Sequence, residues 1–176
     1  MNDPDIEMLS TTVPAALARA VRELLEATCD RGLRLAVAES CTGGLLSSLL
    51  TDVPGCSHAF ERGFIVYSSR SKEELLGVPR GILDRHGAVS EKTAIALAEG
   101  ALARSSADVT VAITGYAGPA GRSGEPGLVH FASASRFADT SHRVERFGDI
   151  GRGAVRLAAT RVAVDMLSAT VAIRQR

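Results

Sequence analysis

Cysteine is scarce and unpaired in this sequence. Cys29, Cys41 and Cys56 form an odd set with no C-x-x-C spacing, which argues against a disulfide framework and a structural zinc site and fits a reducing cytoplasm. Charge of one sign is also missing. Twenty Lys and Arg balance twenty Asp and Glu, so neither a broad nucleic-acid face nor an electrostatic membrane contact is expected. No apolar run approaches the roughly 20 residues of a membrane span. The acidic stretch 1–7 lacks a basic-then-apolar secretion signal, so a soluble, cytoplasmic protein is expected, with residues 1–9 as a flexible N-terminus. His58, His86, His130 and His142 match no metal-ligand spacing, so no metal is expected. Neither a G-x-G-x-x-G fingerprint in strand-turn-helix context nor a G-x-x-x-x-G-K-[ST] loop occurs, so no nucleotide cofactor is expected either.

What the sequence does contain is an alternation of helical and strand patterns. At 176 residues the chain suits one domain over 1–176 with a core of its own. Leu17, Val21, Leu24, Leu25 and Thr28 recur at helical spacing over 13–29, ahead of Arg31-Gly32. Leu33-Arg34-Leu35-Ala36-Val37-Ala38 reads as a buried strand, and a helix begins near Leu45. Residues 59–67 form a second strand, followed by short helices over 72–76 and from Pro79 toward His86. Ser90 caps a longer helix reaching Arg104, and the β-branched run 108–114 supplies a central strand. The glycine- and proline-rich stretch 115–127 reads as a functional loop between strands. Strands over 128–134 and 142–147 and a helix over 153–174 complete the chain. The order predicts a single layered α/β/α domain with a mixed, partly parallel sheet.

The chemistry gathers where the first strand ends. Glu39, Ser40, Thr42 and Gly43 lie in Ala38-Glu39-Ser40-Cys41-Thr42-Gly43-Gly44, at a strand's carboxyl end, where open α/β sheets place ligands. Ser40 or Thr42 can equally do no more than cap the following helix. By residue type alone, Lys72 is a solvated helix residue, Tyr67 a strand-end core residue and Ser57 a turn or cap. Ser69-Arg70-Ser71-Lys72 carries the S-x-x-K spacing of penicillin-binding enzymes but lacks their S-D-N and K-T-G elements. Cys41 and Cys56 have no histidine at an activating spacing and read as structural.

Five separated segments carry a resemblance. Ala38 to Gly44, Phe60-Glu61-Arg62-Gly63-Phe64-Ile65-Val66-Tyr67-Ser68, Lys72, His86-Gly87-Ala88-Val89-Ser90 and Thr114-Gly115-Tyr116-Ala117-Gly118-Pro119 together resemble the C-terminal domain of the CinA (competence/damage-inducible) family, also known as PncC. The likeness runs in order from about residue 10 over nearly the whole chain. It implies an amidohydrolase without metal or cofactor, converting nicotinamide mononucleotide to nicotinic acid mononucleotide and ammonia in pyridine nucleotide recycling, and a homo-oligomer. On that resemblance the family's nucleophilic serine matches Ser57, its tyrosine Tyr67 and its lysine Lys72. Thr114 and Gly115 match its substrate-side turn, and Arg152 its arginine ahead of the last helix, where a guanidinium suits the substrate's phosphate. Arg156 follows closely enough to be confused with it.

The implied chemistry sets a physical demand. A serine hydroxyl attacks an amide poorly unless a base removes its proton. Lysine titrates near 10.4 and must be lowered by about three units, roughly 4 kcal/mol, so an enclosed pocket is expected around Lys72. Tyr67 then relays the proton or holds Lys72, and the Thr114 hydroxyl with backbone N–H groups stabilises the oxyanion. Two other readings stand beside this one: a noncatalytic ligand-binding module in competence or DNA-damage responses, and an amidase for another small nucleotide-like amide. Tyr116, where the family commonly has an aliphatic residue, and Gly127-Leu128-Val129-His130, in place of a Gly-Thr-Val-aromatic run, bear on the choice between substrates.

Overall fold

A computed structural model of the chain describes residues 13–118 and 124–173. The segment 1–9, expected to be flexible, and the middle of the 115–127 loop lie outside the described residues. The elements are α1 (Ala15–Asp30), β1 (Leu35–Glu39), α2 (Leu45–Leu50), β2 (Phe60–Ile65), α3 (Ser69–Leu76), α4 (Arg80–His86), α5 (Glu91–Ala103), β3 (Val109–Gly115), β4 (Leu128–Ser135), β5 (Ser141–Arg146) and α6 (Arg152–Ile173).

The strands form one sheet in the order β2-β1-β3-β4-β5. β1 runs parallel to β2 and β3, whereas β4 and β5 are antiparallel additions. Strand alternation sends Leu35, Val37, Val109, Val111, Ile113 and Phe131 to one face, where α1, α2 and α6 cover them. The opposite face carries small residues, Ala38, Ala112, Ala132 and Ala134, against Ala94, Leu97, Ala98 and Ala101 of α5. Small side chains on both partners bring α5 close to the sheet, and the Thr110 hydroxyl donates to the Ala98 carbonyl at 2.8 Å. Gly100 abuts the Leu76 backbone with no room for a Cβ, so α3 is drawn against α5 beside the carboxyl ends of β1 and β2.

The mixed sheet and its covering helices agree with the architecture the patterns predict. In α1 the buried residues are Leu17, Val21, Leu24, Leu25 and Thr28, the ones that helical spacing selects. Several boundaries shift by a residue or two, and two shifts near Lys72 have a visible cause. α3 starts at Ser69 rather than at Lys72, because Ser68 and Ser71 exchange side-chain-to-backbone hydrogen bonds in a capping box. β2 stops at Ile65 rather than Tyr67, because the carbonyls of Val66 and Tyr67 turn toward the Lys72 amine. Among the described residues no helix is long and apolar enough to cross a membrane.

Candidate active site

Lys72 is among the largest fully buried side chains in the molecule, only 1% exposed. Its Nζ donates to Val66 O at 2.7 Å, to Tyr67 O at 3.2 Å and to Ser40 Oγ at 3.1 Å. An ammonium has three protons to donate and finds three acceptors. A neutral amine has two, and the two carbonyls, which can only accept, take them. Its lone pair then faces the one partner able to donate, the Ser40 hydroxyl. Burial pushes the Lys72 pKa from 10.5 down to about 8, against a small opposing contribution from Cys41.

Ser40 follows directly on β1, its N–H donating to Ile113 O at 3.0 Å. The chain turns at once: Gly43 N–H donates to Ser40 O at 3.2 Å, and Gly43 and Gly44 take φ of +62° and +95°, which glycine adopts without strain. Neither the Cys41 nor the Thr42 N–H meets a carbonyl or side-chain oxygen among the described residues. Two backbone donors beside a buried hydroxyl at a strand-turn-helix junction suit an oxygen that becomes negative. Gly115 adds a third. Its N–H lies on the same side of β3 as the Ile113 carbonyl, the side facing β1. A Cβ there would stand 2.6 Å from Leu128 O, so the position requires glycine.

The remaining expected residues are distributed differently from their assignments. Ser57 is exposed at the amino end of β2, whereas Lys72 lies beyond its carboxyl end; six strand residues separate the two by about 20 Å. The structure therefore pairs Lys72 with Ser40 and not with Ser57. Glu39 is fully buried. Its carboxylate accepts from the N–H groups of Gly44, Leu46 and Ser47 at 3.0, 3.2 and 2.7 Å, and from the Ser47 hydroxyl at 2.7 Å. It thus caps α2, the task assigned to Ser40 or Thr42. Thr114 Oγ1 donates its proton to Ala88 O at 2.6 Å, which leaves that hydroxyl nothing to offer an oxyanion. Tyr67 is 72% exposed and meets Lys72 through its carbonyl, not its phenol. Ser69 is an exposed first residue of α3. Burial raises the Cys41 thiol to about 11, far from a ready thiolate.

Cys41, Tyr67, Gly115, Tyr116, Gly118 and Arg152 line a cleft of about 100 Å³ over the Ser40 turn. Arg152, the exposed first residue of α6, lays its guanidinium against Gly118. Arg156 is engaged elsewhere: its Nε and Nη2 donate to Thr42 O at 3.1 and 2.6 Å. The Thr42 hydroxyl is buried and has no hydrogen-bond partner among the described residues. Among the described residues no three His, Cys, Asp or Glu side chains gather as a metal site. His130 and His142 meet each other instead, Nδ1 to Nε2 at 3.1 Å.

Comparison with known proteins places this geometry in context. The family described as CinA C-terminal domain matches residues 15–171. A CinA-like protein of Parasynechococcus marenigrum is 46% identical over 159 residues, 89% of this chain and 37% of that protein. Another from Chlorobium luteolum is 62% identical over 94 residues, 53% of this chain and 22% of that protein. The matched stretch is thus well under half the length of these curated relatives. Among solved structures, the competence/damage inducible protein CihA from Agrobacterium tumefaciens superposes with a TM-score of 0.87 at 42% identity, covering 89% of this chain and 96% of that one.

Proposed function

The chain belongs to the CinA C-terminal domain family, and from that premise we propose that it is an amidohydrolase releasing ammonia from nicotinamide mononucleotide, with Ser40 as nucleophile and Lys72 as its base. The observation that carries this reading is the buried 3.1 Å contact between Lys72 Nζ and Ser40 Oγ, with no carboxylate among the described residues paired to the amine.

The steps follow from the contacts. Neutral Lys72 takes the Ser40 proton as Oγ attacks the amide carbon. The carbonyl oxygen becomes negative and is received by the Cys41, Thr42 and Gly115 N–H groups. Collapse breaks the C–N bond, and the Lys72 ammonium returns its proton to the leaving nitrogen, which departs as ammonia. Water, deprotonated by the same amine, hydrolyses the ester on Ser40 and restores the hydroxyl. Overall, amide and water become carboxylic acid and ammonia. No step draws on a metal or cofactor.

Arg152 is the residue proposed to take the phosphate, since it is exposed, lies at the head of α6 and lines the cleft. The cleft favours a second reading of the substrate. Its lining of Cys41, Tyr67, Gly115, Tyr116, Gly118 and Arg152 selects no particular ring, so another small amide on a nucleotide-like body satisfies the same contacts. Ammonia release by the purified protein from nicotinamide mononucleotide, nicotinamide and related amides tests both. Turnover confined to the mononucleotide is the expected result. Binding without ammonia would mean a ligand-binding module, and turnover of a different amide would move the substrate.

A further inference from the structure

Arg156 and Thr42 are 114 residues apart in sequence, yet the arginine's Nε and Nη2 converge on one carbonyl oxygen. Two N–H groups from a planar fork fix both the distance and the direction of that carbonyl. The same Nη2 lies 3.6 Å from where a Gly43 Cβ would stand, so the guanidinium rests against the glycine backbone. Among the described residues no carboxylate comes within ion-pair distance of Arg156. Its charge is therefore directed at the turn, where it favours negative charge at Cys41. Val155 and Ala159, both buried, keep this part of α6 docked.

The consequence lies in the peptide planes. Ser40 O is held by the Gly43 N–H, and Thr42 O by the two shorter bonds from Arg156, with a longer one from the Leu45 N–H at 3.4 Å. Because each peptide is planar, fixing a carbonyl fixes the N–H that opposes it. Fixing Thr42 O therefore orients the Gly43 N–H, which holds Ser40 O, and fixing Ser40 O in turn orients the Cys41 N–H, which meets no carbonyl or side-chain oxygen among the described residues. We propose that Arg156 is a positioning residue for the hydrolysis, holding the Ser40–Gly43 turn in the arrangement that leaves the Cys41 N–H open to the oxyanion. The proposal rests on the Ser40–Lys72 reading of the site.

The test compares Arg156→Ala and Arg156→Lys with wild type on nicotinamide mononucleotide. Loss of the clamp is expected to lower kcat by about 100-fold, with KM moved by no more than about threefold. The pH profile keeps its limb, since Lys72 is untouched, and added methylguanidinium restores part of the Arg156→Ala rate while methylammonium does not. Arg156→Lys, which keeps the charge without the fork, remains impaired. Arg161→Gln, on the same helix and paired to Asp165 at 2.9 Å, is the control and keeps the wild-type rate. A raised KM with kcat retained would overturn the proposal by making Arg156 a substrate ligand. Activity lost only in proportion to melting, with no rescue, would overturn it by making the residue structural. If Ser40→Ala retains activity, the failure lies in the underlying site reading and not in the role of Arg156.

Discussion

Lys72 Nζ stands 3.1 Å from Ser40 Oγ in a niche where the lysine is 1% and the serine 6% exposed. Strand β1 delivers the hydroxyl and α3 delivers the amine, and the carbonyls just past the end of β2 occupy two of the amine's three positions. Burial makes the neutral amine accessible near physiological pH, and the carbonyls aim its lone pair. Both conditions that the proposed serine–lysine pair requires are therefore met by backbone and burial.

Lys72 is a base only when neutral. Burial holds it at about 8, so kcat/KM is expected to rise about tenfold per pH unit below that value and to level off above it. The measurement is kcat/KM across the neutral and alkaline range. A flat profile through 8 contradicts the assignment.

The same shift governs stability. Unfolded, Lys72 titrates near 10.5, and folded near 8; between these values the unfolded chain binds the extra proton. Stability therefore rises with pH across that window, and below it the fold carries a constant cost of about 3 kcal/mol. Urea unfolding of wild type and Lys72→Met at several pH values isolates the effect. The difference is expected to move in favour of wild type from pH 8 upward, and a pH-independent difference would contradict it.

Glu39 accepts four hydrogen bonds at the head of α2. Glu39→Gln turns an amide NH₂ toward donors that need an acceptor, and a loss of about 2 to 3 kcal/mol is expected. The denaturant midpoint reads the loss, and amide exchange in α2 locates it. An unchanged midpoint would show that the four hydrogen bonds at Glu39 are dispensable.

Thr114 ties β3 to the loop before α5. Thr114→Val removes its bond to Ala88 O, with an expected stability cost of about 1 to 2 kcal/mol and little change in kcat. A large fall in kcat at unchanged stability would return the hydroxyl to the oxyanion role.

Local pattern made the fold legible. Helical spacing in α1, β-branched density in β3 and the Ser90 cap of α5 each follow from neighbours in sequence, and the structure has them. The site was legible only as a set of segments. Lys72, Ser40 and Gly115 come together because β1 lies between β2 and β3, and strand order is not written in any one segment. The family resemblance points to Ser57, in the same segment as Tyr67 and Lys72, but the strand between carries Ser57 to the opposite end of the sheet from Lys72. Arg156 gave no sign of its partner, because a carbonyl has no residue identity to read. The mark that was available for Ser40 was its place between a buried strand and a glycine pair.

The most direct test of the account is ammonia release from nicotinamide mononucleotide by Ser40→Ala and Ser57→Ala proteins measured side by side with wild type. Ser40→Ala is expected to lose turnover by about a thousandfold or more while Ser57→Ala keeps it. Turnover retained by Ser40→Ala and abolished by Ser57→Ala would contradict it.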